Sequence, residues 1–218
     1  MIVFDRKRRA LLFFTGIMMS GFGVALSTLA GLGATPIASV PWVITFLCPL
    51  SYGMLNFVMN MFFVSAQIAI LRRRFGWFQL LQIPAMAIFA AFMDVGVWLV
   101  RPYETTFFPV QLVMLVCGSA MLGVGISCQV QSDFLCVPGD ALVKTISREF
   151  HFKLSRVKIC FDALLVLTAC VISFLTMHTI QGVREGTIIG VFLVGFFVGV
   201  AMPRLRWARR LCYHRVSK

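Results

Sequence analysis

Two acidic residues, Asp94 and Asp162, lie inside long apolar segments of this 218-residue chain. A carboxylate within a bilayer is costly, so such groups mark ion pairs, proton paths or solute sites. Lys158 precedes Asp162 by four residues, which places both side chains on one face of a helix and permits an ion pair. Asp94 has no basic residue one helical turn away. We therefore expect Asp94 to belong to a binding site, where its protonation would couple proton movement to transport.

A stripe of polar side chains runs along the apolar segment near residues 50–71. Tyr52, Asn56 and Asn60 recur every four residues, and Gln67 follows seven residues later, so they share one helix face. In lipid, these groups must face protein or a wet cavity. Both hydrogen bonding between helices and lining of a solute site remain open. The candidate substrate-binding residues are Asn56, Asn60, Asp94, Asp162, Gln67 and Tyr52.

Sequence motifs for known enzyme chemistry are absent. The chain has no HExxH, GxSxG, Walker or Gly-rich dinucleotide motif, and its three His residues lie far apart in sequence. Its seven cysteines form no CxxC pair. The sequence therefore predicts no catalytic residue, no metal site and no cofactor. A membrane-embedded enzyme is the least favoured class.

Six apolar segments must position these residues. Sixty per cent of the residues are hydrophobic and the mean hydropathy is +0.92. Each segment approaches the length of about 20 residues that a membrane-spanning helix needs. The segments cover approximately residues 10–33, 50–71, 77–99, 108–131, 158–178 and 186–203. We predict an all-α membrane protein with six transmembrane helices in one integral membrane domain, residues 1–218.

The basic residues predict the orientation of these helices. All 20 Lys and Arg residues except Arg101 and Arg184 fall within residues 6–9, 72–74, 144–158 and 204–218. Two apolar segments separate each cluster from the next, and Lys and Arg near helix ends mark the cytoplasmic side. We expect a bacterial inner-membrane protein with cytoplasmic N- and C-termini and a basic tail over 204–218. Anionic headgroups explain the net charge of +12 better than nucleic acid does.

Two connections and a weak internal similarity indicate an inverted repeat. Residues 34–49 are uncharged and too short to cross, which predicts a re-entrant or interfacial segment. Residues 132–157 contain Pro-Gly-Asp followed by an amphipathic pattern, which predicts a helix on the inner interface. GFGVAL at 21–26 resembles GVGISC at 123–128, and Pro36 and Pro138 share that offset of 102 residues. Three crossings per unit invert the second copy, giving repeats over about 10–100 and 108–203.

Four stretches resemble the bacterial YczE/YyaS/YitT-type integral membrane proteins. They are GFGVALSTLAGLGATPIASVPW at 21–42, LSYGMLNFVMNMFF at 50–63, VPGDALVKTISREFHFKLSRVKICFD at 137–162 and GVREGTIIGVFLVG at 182–195. The resemblance covers most of the chain and implies the fold, because its motifs are Gly and Pro signatures that specify no chemistry. Where many members have Pro-Trp-Asp, this chain has Pro41-Trp42-Val43, so an acid is missing there.

These observations favour a small-solute transporter or permease whose site lies between the two halves. Its membrane-buried acids favour a polar or cationic solute. The alternative is a substrate-binding or accessory subunit, because six helices and a small-residue first helix resemble the membrane subunits of energy-coupling-factor vitamin transporters. The expected partners are the lipid bilayer, the solute and either a second copy or a partner membrane subunit, with no nucleic acid.

Overall fold

The computed structural model describes residues 2–4, 6–179, 182, 185–205 and 213–215. Its elements are β1 (Ile2–Phe4), α1 (Arg6–Leu29), α2 (Pro36–Thr45), α3 (Tyr52–Leu71), α4 (Gln82–Val100), α5 (Phe108–Ser132), α6 (Pro138–Glu149), α7 (Leu154–Met177), α8 (Glu185–Arg204) and β2 (Tyr213–Arg215). Within these residues, six helices are long and apolar enough to cross a bilayer: α1, α3, α4, α5, α7 and α8. The predicted membrane-spanning architecture is therefore confirmed.

Side-chain contacts bring the basic clusters to one end of the bundle. Arg9 Nε donates to the Ser132 carbonyl oxygen at 2.7 Å, joining the start of α1 to the end of α5. Arg74 lies 3.5 Å from the Glu149 carboxylate, joining the ends of α3 and α6. We call this the basic end. β1 pairs antiparallel with β2, and most of the basic tail predicted over 204–218 lies outside the described residues.

The helices form two inverted repeats. α1 packs against α4 as α5 packs against α8, and α2 packs against α3 and α7 as α6 packs against α7 and α3. The start of α2 at Pro36 and of α6 at Pro138 differ by 102 residues, and so do the starts of α3 at Tyr52 and α7 at Leu154. α1 begins at the basic end whereas α5 ends there, so the second half is inverted relative to the first.

Glycines hold α1 and α5 together at the centre of the bundle. Gly16 and Gly23 of α1 have the counterparts Gly118 and Gly125 in α5, again 102 residues on. A Cβ at Gly23 would lie 2.5 Å from the Leu122 backbone nitrogen, so no side chain fits there. The small residues of the first helix were one reason to consider an accessory subunit. Their face is covered by α5 of the same chain.

Helix packing divides the bundle into two groups. The glycine group consists of α1, α4, α5 and α8, and the proline group consists of α2, α3, α6 and α7. The two groups contact each other mainly through α3 and α4. Across the described residues, α7 and α8 lack an equivalent contact, and these two are the least buried of the spans. The groups are thus closely packed along α3–α4 and lack extensive contact along α7–α8.

The two short helices begin inside the bundle. Each starts with Pro at its first position, where the missing N–H costs nothing. A Cβ at Gly139 would lie 3.3 Å from Ile37 Cδ1, so the starts of α6 and α2 meet in the interior. The interfacial location predicted for residues 132–157 therefore applies to the later part, where Phe150 and Phe152 are exposed, whereas Pro138 is fully buried.

Candidate functional site

A central cavity of about 340 Å³ lies between the glycine group and the proline group. The described residues that line it are Ser20, Val24, Thr35, Pro36, Ile37, Ala38, Asn56, Asn60, Met86, Phe89, Leu122, Ile126, Gln129, Val137, Asp140, Lys158, Asp162, Val191, Val194 and Gly195. A volume of this order is typical of small-molecule sites.

The central cavity lies on the axis that relates the two halves. Seven pairs of lining residues are separated by 102 positions: Ser20 and Leu122, Val24 and Ile126, Thr35 and Val137, Ala38 and Asp140, Asn56 and Lys158, Asn60 and Asp162, and Phe89 and Val191. Equivalent positions of both halves can face one shared space only when the pseudo-twofold axis passes through it. The halves share the geometry but differ in chemistry, because amides in α3 stand where ions stand in α7.

The amide pair of α3 leaves one oxygen without a partner. Asn60 Nδ2 donates to the Asn56 carbonyl oxygen at 2.8 Å and to Asn56 Oδ1 at 2.7 Å. A backbone carbonyl only accepts, so this contact fixes the orientation of the Asn60 amide. Asn60 is 3% exposed, and its Oδ1 has no hydrogen-bond donor in the structure. A buried acceptor of this kind is costly unless a ligand or water donates to it.

Gln129 of α5 presents a second such oxygen from the glycine group. Its Nε2 donates to Ser20 Oγ at 2.7 Å and to the Gly16 carbonyl oxygen at 3.2 Å, which fixes the amide in the same way. Gln129 is 6% exposed, and its Oε1 has no donor in the structure. Residues from both helix groups that carry such an acceptor therefore line one cavity.

Lys158 joins α6 and α7 at the polar wall. Its Nζ donates to Asp140 Oδ1 at 3.1 Å and lies 3.1 Å from Asp162 Oδ1. Lys158 and Asp162 form an ion pair, but Asp162 Oδ1 does not accept a well-directed hydrogen bond from the ammonium. The predicted pairing of Lys158 with Asp162 is confirmed. Asp140 also lies in the first turn of α6, where the helix dipole favours a carboxylate.

The two walls of the central cavity differ in polarity. The charged residues among its described lining residues are Asp140, Lys158 and Asp162, all from the proline group. The glycine group contributes mainly apolar side chains, including Met86, Phe89 and several Val, Leu and Ile residues. The cavity thus suits a molecule with one polar and one apolar side.

Two residues of the predicted polar stripe lie outside the central cavity. The Tyr52 hydroxyl donates to the Ala38 carbonyl oxygen at 3.4 Å and lies 3.1 Å from Thr28 Oγ1, which connects the proline group to α1. Gln67 Nε2 donates to the Pro138 carbonyl oxygen at 3.0 Å, which connects α3 to the start of α6. Tyr52 and Gln67 therefore form hydrogen bonds between helices, the first of the two roles left open for the polar stripe. Asn56 and Asn60 line the cavity, which is the second role.

Asp94 is also outside the cavity and caps α3 instead. Its Oδ1 accepts from the Gly53 N–H at 2.7 Å and its Oδ2 from Ser51 Oγ at 2.6 Å. Ser51 Oγ itself accepts from the Met54 N–H at 3.1 Å. The first N–H groups of a helix have no partner within it, so these contacts satisfy the start of α3. We call this contact between α4 and α3 the Asp94 latch.

Replacing Asp94 with alanine is expected to lower the free energy of unfolding by about 1–2 kcal/mol, the usual cost of a lost helix cap. Asn should retain more stability, because its oxygen still accepts from the Gly53 N–H. Thermal unfolding of the purified variants tests this order. If Asp94→Asn keeps nearly the stability of the wild type but binds an identified solute much more weakly, the capping role is contradicted. Asp94 would then belong to the binding site, as the sequence predicted.

Sequence reasoning did not assign Asp140 or Gln129 to the site. The offset of 102 residues contains the signal for Asp140, because it maps Ala38 onto Asp140, and it also maps Asn56 and Asn60 onto Lys158 and Asp162. Gln129 has no such signal, since the residue 102 positions earlier, Ser27, does not line the cavity.

A second cavity of about 280 Å³ adjoins the central one toward the basic end. Both are lined by Ile126, Gln129, Val137 and Asp140. Cys136 lines only the second cavity, with Lys144 Nζ 3.1 Å from its Sγ. Burial raises the pKa of the Cys136 thiol, and the Lys144 ammonium partly opposes this. The thiol is therefore protonated at neutral pH, so a maleimide, which reacts with the thiolate, has to be applied at higher pH.

The described residues contain no group of three His, Cys, Asp or Glu side chains placed to hold a metal ion. Comparison with known proteins found no match among curated proteins and none among solved structures. The model of a family of unknown function, DUF6198, matches residues 7–203. This match leaves the YczE/YyaS/YitT-type resemblance unconfirmed. With most of its length matched, the chain belongs to DUF6198.

Proposed function

We propose that this multi-pass membrane protein is a transporter that moves a small solute through the central cavity by alternating access. The observation that carries the proposal is the position of the cavity on the pseudo-twofold axis, where seven pairs of lining residues share one offset. Transporters built from inverted repeats hold their solute between the repeats, at such an axis. No chemical conversion of the solute is proposed.

The unequal packing of the two helix groups supports a cycle of two states. α3 and α4 are in extensive contact, whereas their counterparts α7 and α8 are not. In the second state, α7 and α8 would be in extensive contact and α3 and α4 would separate, while the solute site stays in place. Inverted repeats make the two states similar in architecture, so the exchange requires rigid-body movement and no refolding.

The basic clusters support an orientation for this cycle. With the basic end in the cytoplasm of a bacterial cell, the protein follows the positive-inside rule in the inner membrane. The second cavity, lined by Asp133 and Lys144, would then connect the site to the cytoplasmic side. A partner subunit is not required by this scheme, and the alternative of an energy-coupling-factor type accessory subunit uses the same cavity for binding alone.

The test combines a binding screen with transport by the purified protein. Thermal unfolding against amino acids, amines, alcohols and vitamins identifies solutes that stabilise the folded state, because a ligand of the native state raises its stability. A labelled hit is then measured for exchange into liposomes that contain only this protein. We expect exchange that Asn60→Leu reduces at least tenfold, whereas Gln67→Leu, outside the cavity, retains it.

Asn60→Leu is a suitable variant because both hydrogen bonds of the Asn60 amide stay within α3. Gln67→Leu removes a bond between helices and tests whether lost stability alone explains lost exchange. Tight binding without exchange would refute the transporter and favour the accessory subunit. Recovery of a chemically altered solute would refute both and favour an enzyme.

A further inference from the structure

We propose that the ligand of the central cavity is an apolar molecule whose polar end donates hydrogen bonds, an amine or an alcohol and not a carboxylate. We further propose that it reaches the cavity from the bilayer, through the gap between α7 and α8. This inference deepens the proposed function by assigning its solute class and its route, and its binding arm also applies to an accessory subunit.

The acceptors in the cavity select the polar end. Asn60 Oδ1 and Gln129 Oε1 are buried without a donor, and both amides are fixed by bonds to backbone carbonyls. A ligand N–H or O–H would satisfy either oxygen. A ligand carboxylate has only acceptors, so it would leave both oxygens unpaired and add repulsion.

The charges of the polar wall also disfavour an anion. Asp140 and Asp162 flank the single Lys158 ammonium, which is already engaged by both carboxylates. An anionic ligand would have to displace one carboxylate from Lys158, whereas an ammonium or hydroxyl would donate to them. The apolar side of the cavity, with Met86 and Phe89, then holds the body of the molecule.

The route follows from the position of α8. Val191, Val194 and Gly195 of α8 line the cavity, and Val191 is nevertheless 46% exposed. A Cβ at Gly195 would meet nothing within 4 Å. Because α7 and α8 lack the packing seen between α3 and α4, the gap beside Gly195 faces the lipid side of the bundle. An apolar molecule is already concentrated in that lipid.

The polar end is tested with three probes that share one apolar body: phenylpropylamine, phenylpropanol and phenylpropanoate. Thermal unfolding of the purified full chain is followed as each probe is titrated. We expect saturable stabilisation by the amine and the alcohol with Kd values at least tenfold below that of the carboxylate, and at least tenfold weaker binding to Asn60→Leu. Equal or tighter binding of the carboxylate overturns the inference, and so does the absence of saturable binding by all three.

The route is tested by closing each approach in turn, in protein embedded in lipid nanodiscs. Gly195→Phe fills the gap beside α8, and Gly199→Phe is its matched control, because a Cβ there also meets nothing within 4 Å but the residue does not line the cavity. A bulky maleimide on Cys136, in a variant whose other cysteines are alanine, closes the second cavity. The rate of amine association is measured beside the affinity, because an equilibrium affinity does not depend on the route. We expect this rate to fall at least tenfold only in Gly195→Phe, and by more than the affinity does. Slowed association after Cys136 modification overturns the bilayer route, as does an unchanged rate in Gly195→Phe.

Failure of this inference and failure of the transporter are distinguishable. A carboxylate that binds and is exchanged in an Asn60-dependent manner refutes the solute class while the transporter stands. An amine that binds with the expected selectivity but is not exchanged into liposomes refutes the transporter while the solute class stands.

Discussion

Gly118→Leu is expected to destabilise the folded protein strongly, whereas Gly199→Leu in α8 is expected to fold with little loss. A Cβ at Gly118 would lie 2.5 Å from the Ser27 backbone nitrogen and 2.9 Å from the Gly23 carbonyl oxygen. Backbone atoms cannot move aside as a side chain can, so leucine must separate α1 from α5. We expect a loss of about 3 kcal/mol or more, the upper range for overpacking. Yield of monodisperse protein and thermal unfolding measure it.

The repeat supplies an independent check on Gly118. Its counterpart Gly16 meets the Gly125 carbonyl oxygen, where a Cβ would lie at 2.7 Å, so Gly16→Leu should be about as damaging. Gly199→Leu adds the same side chain to another spanning helix, in open space. Similar yields for all three variants would show that α1 and α5 are not held by close backbone approach.

Lys158→Met is expected to lower the stability by about 2 kcal/mol, because it leaves Asp140 and Asp162 together without a cation. Removal of one partner from a buried ion pair costs about 3–5 kcal/mol, and we expect less since Lys158 is 36% exposed. Adding Asp162→Leu should restore most of the loss. Asp140 then remains at the start of α6, where the helix dipole favours it. Thermal unfolding of the single and double variants measures both effects.

Asn56→Met is the control for Lys158→Met, because Asn56 occupies the equivalent position in the first half. It removes a neutral side chain and leaves no charge unpaired, so its effect should be smaller. If Asp162→Leu fails to rescue Lys158→Met, the loss arises from missing lysine packing and the ion network is not its cause. Lys158→Arg, which keeps the charge, should stay close to wild type.

The six spans were predictable because each needs only a sustained apolar segment, a property of neighbouring residues. The offset of 102 residues also predicted the inverted halves, since Pro36 and Pro138 both begin short helices. The division into glycine and proline groups was not predictable. Lipid is as apolar as a neighbouring helix, so hydropathy does not distinguish the α3–α4 contact from the α7–α8 gap.

The sequence predicted the interactions of the site that join residues close in sequence and missed those that join distant residues. Asn56 and Asn60, like Lys158 and Asp162, interact at a spacing of four residues, which a helical pattern reveals. The partners of Asp94 are Gly53 and Ser51 at the start of α3, 41 and 43 residues away, so the sequence did not distinguish a carboxylate that caps a neighbouring helix from one that binds a ligand. Gln129 bonds to Ser20 across 109 residues, beyond any local pattern.

The Asp94 latch has a consequence for how long the protein would spend in each state. If the two halves were identical, the protein would populate its two states equally. Each state would then be the other state viewed from the opposite side of the membrane. The latch fastens α4 to α3, while residues 196–199 at the corresponding part of α8 contain no acid to fasten α7. A bias of about 1.4 kcal/mol shifts such an equilibrium tenfold. One carboxylate present in a single half would therefore set the resting occupancy and make the gap on the α7–α8 side the default.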